Sequence, residues 1–191
     1  MKTTISMLAL FLVVGCTPAS YPVNVTMKAA ANTYSGAGKC RVRVEPLVFD
    51  AAATWAGKTE AEFVASLRPE AQQSHKGDLT GTQEAWFEQI KINERDYIGD
   101  KGLVSTQPGG NEPFVLASKV VAVAPDGGIT VVHEVFAMPA RTKVAEFTLA
   151  ASNVGFGFGQ RMRTSTIPQA MGMLSYFRDR FACNGPAAVV E

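Results

Sequence analysis

Residues 114–151 read FVLASKVVAVAPDGGITVVHEVFAMPARTKVAEFTLAA. Three runs stand out in this stretch: Phe114 to Ala124, Ile129 to Phe136 and Lys143 to Ala151. Each is rich in Val, Phe, Thr or Ala and has the length of a strand. Pro125-Asp126-Gly127-Gly128 separates the first two, because Pro presets φ while Asp and Gly accept turn conformations. Pro139 marks the second turn. Consecutive strands with short connections pair antiparallel, so the stretch predicts a three-stranded meander.

Upstream, Cys40 to Asp50 alternates and is rich in Val, which predicts another strand. Val42, Val44 and Leu47 are its expected core residues, and Pro46 suggests a bulge or an edge. A loop is expected through Trp55. Thr59-Glu60-Ala61-Glu62 then fits a capping box, with Thr59 as N-cap and Glu62 returning the bond. Phe63 and Leu67 share one face of the helix that follows. Pro69 interrupts or restarts it. A second helical piece is expected from about Thr82 to Ile92, with Trp86, Phe87 and Ile90 apolar. Residues 99–113 hold Gly102, Pro108, Gly109, Gly110 and Pro113 and read as a loop.

Downstream of the meander, a Gly-rich loop leads to Pro168, which can sit in the first turn of a terminal helix. Ala170, Met171, Leu174, Phe177 and Phe181 follow at three- and four-residue spacing and form one apolar stripe. The order is strand, helices, three strands, helix. This is an α+β pattern: a small antiparallel or mixed sheet with helices packed on one face.

The chain opens MKTTISMLALFLVVGCTPAS. Lys2 gives a short positive region, and Ile5 to Val14 an apolar run too short to span a bilayer, which needs about 20 residues. That is the shape of a secretory signal. Val13-Val14-Gly15-Cys16 resembles the lipobox of bacterial lipoproteins. The resemblance implies cleavage between Gly15 and Cys16, with Cys16 carrying the lipid. A small residue at Gly15 lets the peptidase approach. Thr17, where an Asp tends to retain such proteins at the inner membrane, implies the outer membrane. Two or three acyl chains together make a stable anchor, at about 0.8 kcal/mol per buried methylene.

The expected organisation is therefore a signal peptide over 1–15, a lipidated N-terminus and tether over 16–38, one domain over 39–184 and a flexible tail over 185–191. The tether is rich in Ala, Ser, Thr and Gly, and its length spans roughly 25 Å root-mean-square. Part of it, Tyr21 to Met27, has an edge strand as its alternative reading. The whole chain has 191 residues and a net charge of +1. Loss of residues 1–15 removes Lys2 and no acid, leaving 17 bases against 17 acids. A neutral chain lacks the basic footprint of nucleic-acid binders. Cys40 and Cys183 remain, each just outside a predicted element. In an oxidising compartment a bridge between them is the favoured reading, with two buried thiols as the alternative. In the chain-entropy model so long a loop contributes roughly 5 kcal/mol.

Residue chemistry gives little further. Gly57-Lys58-Thr59 follows a strand and opens a helix, but Ala52 stands where a phosphate loop requires Gly. Asn153 to Gly159 lacks the spacing of a dinucleotide fingerprint. The histidines, His75 and His133, do not assemble a zinc ligand set in sequence: His75 is read in a polar loop near Asp78, and His133 in a strand beside Glu134. Ser in a G-x-S-x-G context is absent, and no acid–base pair stands out. No cofactor, metal or catalytic residue is expected. Phe156, Phe158, Arg161 and Arg163 are the candidate partner surface.

The pieces Gly57 to Phe63, Phe114-Val115-Leu116 through Val123-Ala124-Pro125, Arg161-Met162-Arg163 and Tyr176 to Arg180 resemble, in their order, small α+β lipoproteins of bacteria, myxobacterial ones among them. Such proteins are similar in plan to auxiliary lipoproteins of envelope transport systems. The resemblance carries no catalytic residue. Its implied role is a non-enzymatic accessory or assembly subunit of an envelope complex, with membrane lipid and a periplasmic or outer-membrane protein as partners. The alternative is a lipoprotein that binds a small ligand in an apolar pocket lined by Trp55 and Trp86. An enzyme, built on His75 or His133 against Cys40 or Cys183, ranks last.

Overall fold

A computed structural model describes residues 24–32, 41–93, 104–105 and 112–180, with side chains over 41–93, at 105 and over 112–177. The cleavage site at Gly15 and Cys16, the bridge expected between Cys40 and Cys183, and the tail 185–191 lie outside the described residues.

The meander is as the sequence predicts. β5 (Phe114–Val123), β6 (Ile129–Ala137) and β7 (Thr142–Ser152) pair antiparallel in sequence order. Burial alternates along β6 and β7, so Val131, His133 and Val135 share one face with Ala145, Phe147 and Leu149. The strand read at 40–50 also forms, but it is longer and broken. β2 (Val42–Val44) and β3 (Val48–Trp55) lie one after the other along the free edge of β5, both parallel to it. Pro46, which has no N–H to donate, falls in the break. Leu47 turns inward there, fully buried, and its carbonyl accepts from Gln83 Nε2 at 2.9 Å. The parallel direction follows from the helical crossover between β3 and β5.

Two further strands complete a seven-stranded mixed sheet of order β1-β7-β6-β5-β2-β4, with β3 beside β5. β4 is the two-residue strand Val104–Ser105, parallel to β2, inside the stretch read as loop. β1 (Asn24–Asn32) pairs antiparallel with β7, Asn24 opposite Ser152. The tether therefore does not run unbroken to residue 38: an edge strand forms there, over Asn24–Asn32, where the alternative reading put one at Tyr21 to Met27.

The helices cover one face of the sheet. α1 (Glu60–Ala65) opens with the predicted capping box: Glu62 N–H donates to Thr59 Oγ1 at 3.3 Å and Thr59 N–H to Glu62 Oε2 at 2.9 Å. α2 is one helix over Pro69–Asn93, started by Pro69 at its first position, where the missing N–H costs nothing. It takes in residues 70–81 and with them His75, which the sequence places in a loop because Gly77 and Gly81 lower helix propensity. The Arg163 guanidinium lies over Gly81. A Cβ on it would lie 2.6 Å from Arg163 Cζ. The glycine-rich loop ends at 157, and an unpredicted short helix α3 (Phe158–Thr164) precedes α4 (Thr166–Arg180). In α4, Ala170, Leu174 and Phe177 are buried as predicted, and Met173 and Tyr176 join them.

Candidate functional site

Three places hold the side chains singled out by sequence. The first is enclosed between the sheet and α2 and α4. His133 on β6 is fully buried. Its Nδ1 faces Ser118 Oγ on β5 at 2.9 Å, and its Nε2 faces Gln169 Oε1 on α4 at 3.3 Å. Gln169 Nε2 donates to the carbonyls of Ile129, at 3.0 Å, and Leu149, at 2.9 Å. Those two bonds orient the amide, so its oxygen must face the ring. The ring then carries its proton on Nε2 and accepts from the Ser118 hydroxyl at Nδ1. Burial holds the His133 pKa down at about 4, against a smaller upward pull from Gln169, so the ring is neutral at pH 7. It sits in a stack of four rings: Trp86 at 5.8 Å, Phe147 at 4.7 Å, then Tyr176 at 3.9 Å from Phe147. Ser, His and an amide in line suggest a nucleophile with its base. No described side of this group is open to a substrate, and the arrangement locks β5, β6, β7 and α4 together.

The second place is the rim under α1. Trp55, Phe63, Phe158 and His75 cluster there, with centroids 5.7 Å apart for Trp55–Phe63, 4.9 Å for Phe63–Phe158 and 5.1 Å for Trp55–His75. His75 is nearly buried and its Nε2 pairs with Glu60 Oε1 at 2.9 Å. Trp55 and Trp86, the expected pocket lining, are 1% and 0% exposed and packed in the core. The Gly57-Lys58 stretch is a tight hairpin turn. Ala56 and Gly57 both have positive φ, and the Trp55 and Lys58 amides bond each other's carbonyls at 2.7 and 3.0 Å. Those amides are committed to the turn.

The third place is the loop Asn153–Gly157 between β7 and α3, with the turn 124–128 against it. Phe156 is 96% exposed and Val154 47%. Phe158 does not share this surface: it turns under the loop into the aromatic cluster. Arg161 Nε donates to Gly155 O at 2.9 Å, and Arg163 reaches back to Asp78 Oδ1 at 3.0 Å across Gly81 and Gly159. The predicted surface therefore reduces to Phe156, with Val154 as a neighbour that the sequence does not single out and Arg161 beside them. No periodicity marks loop valines, so Val154 has no signal. The Ser118–His133–Gln169 line has none either, because its members are 15 and 36 residues apart.

No protein-family model and no curated protein matches the chain. Among solved structures, the PelC dodecamer from Paraburkholderia phytofirmans is similar over 76% of this chain and 92% of its own, at 15% identity and TM-score 0.35. A Xanthomonas campestris protein of the DUF330 family model is similar over 81% and 95%, at 12% identity and TM-score 0.29. Likeness of this order carries nothing about activity or assembly.

Among the described residues, no group of three His, Cys, Asp or Glu is placed to hold a metal ion, and no helix is long and apolar enough to cross a membrane. A surface depression between Ala124, Asp126 and Gly128 on one side and Ala150 to Ser152 on the other is shallow and open.

Proposed function

We propose that this chain is a lipoprotein of the bacterial envelope, anchored through Cys16 in the outer membrane and facing the periplasm. In this reading it is a non-catalytic accessory or assembly subunit that presents its sheet to a protein partner. The observation that carries the reading is the open sheet. It ends on β1, nine residues long, with no strand beyond it among the described residues. An unpaired edge offers a row of N–H and C=O groups to a partner strand.

The face away from the helices supports the same role. It is half-buried and mixes Val132 and Val144 with Glu134 and Glu146, and Lys143 bonds both acids at 3.1 and 2.6 Å. Such a surface suits a reversible contact better than a permanent apolar one. Among the described residues, His133 and Ser118 point inward and are engaged with each other.

Crosslinking in intact cells, then purification through a C-terminal tag and mass spectrometry, tests the reading against a Cys16→Ser strain. The expected result is a partner set that disappears with Cys16→Ser. A lipid-bearing chain that stays alone after crosslinking counts against the accessory role. A chain with no acyl mass on Cys16 counts against the anchor.

A further inference from the structure

We propose that the loop Asn153–Gly157 docks on the bilayer, inserting Phe156 and Val154 into the interface of the leaflet that holds the Cys16 lipid. The proposal rests on the lipid anchor at Cys16.

The placement follows from the register of β1. Asn24, at the start of β1, pairs with Ser152 at the end of β7. The loop leaves the sheet at the next residue. Cys16 is eight residues before Asn24. Fully extended, eight residues reach at most about 27 Å, and as a flexible chain roughly 16 Å. The anchor therefore holds this end of the sheet near the membrane, and the opposite end, at Ala137 and Thr142, points away from it. The 96% exposed Phe156 lies at the near end.

The loop is also built to enter an environment poor in water. Irregular backbone enters a water-poor layer at lower cost where its polar groups already have partners. Phe156 N–H donates to Gln160 Oε1 at 2.9 Å, and Val154 N–H to Asn153 Oδ1 at 2.8 Å. The Val154 carbonyl accepts from Thr164 Oγ1 at 3.1 Å, and the Gly155 carbonyl accepts from Arg161 Nε at 2.9 Å. Asn153 Nδ2 donates to Thr164 O at 3.2 Å and closes the loop on α3. The loop is thus fastened to α3 while its ring is left out.

The charges at this end fit the same surface. Arg161 is exposed beside Phe156 and suits lipid phosphate, and exposed Lys58 lies in the turn after β3, at the same end. The acids at this end are engaged: Asp126 Oδ1 accepts from Gly128 N–H at 2.9 Å, Glu60 Oε1 pairs with His75 Nε2 at 2.9 Å, and Glu62 Oε2 accepts from Thr59 N–H at 2.9 Å. Aromatic residues favour such interfaces because they place an apolar body at the headgroup level.

The test uses the full chain, purified from cell membranes with its lipid and reconstituted in vesicles of phosphatidylethanolamine and phosphatidylglycerol. Phe156→Trp reports at the near end and Thr142→Trp at the far end, over the constant signal of the buried Trp55 and Trp86. Brominated lipids are expected to quench Phe156→Trp several-fold more than Thr142→Trp, with a blue-shifted emission. Equal quenching of the two, in a chain that floats with the vesicles, overturns the docking and leaves the anchor standing. A chain that neither floats nor carries acyl mass overturns both. In native envelope vesicles, an indole emission of the Phe156→Trp variant that is shielded from acrylamide but untouched by brominated lipid assigns the loop to a protein and overturns the docking.

Discussion

The chamber around His133 and the loop around Phe156 both engage the polar groups of the residue at their centre and treat their apolar groups oppositely. Around His133, Ser118 and Gln169 take up both ring nitrogens, and Trp86 and Phe147 cover both ring faces. Around Phe156, its own amide and the carbonyls of Val154 and Gly155 are taken up by α3 side chains, and the aromatic ring is displayed. The first arrangement serves stability. The second contributes nothing to the fold that would account for it.

The contrast breaks most sharply at His133. His133→Ala opens a cavity between Trp86 and Phe147 and leaves Ser118 and the Gln169 oxygen buried without a partner. The expected loss at pH 7 is roughly 3–5 kcal/mol, read as a shift of the urea midpoint. A loss under about 1 kcal/mol would show the chamber to be hydrated or loosely packed.

Acid separates the same region from the rest. Above pH 6.5 the His133 ring is neutral whether folded or unfolded, and its titration adds nothing. Below 6.5 the unfolded ring binds a proton that the folded ring, held near 4 by burial, does not. Stability therefore falls as pH falls from about 6.5 to about 4 and levels off below, by about 3 kcal/mol in all. Asp50 and Glu62 are held below their ordinary values of 3.8 and 4.5 by the N–H groups of Ala52 and Thr59, and they act at the acid end of this window. Denaturant midpoints at pH 7 and pH 5 in the parent and in His133→Gln isolate the ring. The variant is expected to lose most of the slope between them.

Between the two regions, α2 meets α3 through reciprocal small residues. Arg163 lies over Gly81, Asp78 lies over Gly159, and the two charges pair at 3.0 Å. Gly159→Ala pushes into the Asp78 carboxylate, which its partner holds in place. Overpacking of this kind is expected to cost roughly 1–3 kcal/mol in thermal or urea unfolding. If the variant is unchanged, Asp78 moves freely and the pair does not fix the helix contact.

These elements also mark what the sequence could tell. The meander was legible because inward Val131, His133 and Val135 alternate with less buried neighbours between strong turn signals. The capping box at Thr59 was legible because it is local. The continuous α2 was not, because its Gly81 answers to Arg163, some eighty residues away in the chain. β1 was hard to read for the same reason: its place is set by β7. Of the four-residue surface read at Phe156, Phe158, Arg161 and Arg163, composition could show aromatic and basic character. It could not show that Phe158 turns inward to Phe63 or that Arg163 is engaged with Asp78.

The smallest expected effect on stability is the most informative about function. Phe156→Ser removes a ring that is 96% exposed and touches little of the fold. Folding stability is expected to change by no more than about 0.5 kcal/mol, because surface substitutions away from caps and networks act at that level. The backbone N–H at 156 keeps its bond to Gln160, so the loop stays fastened. If the variant folds as well as the parent, the ring is displayed for contact and not for the fold. If it unfolds earlier by about 1 kcal/mol or more, Phe156 packs on the domain in solution, and the contrast with His133 collapses into two parts of one core.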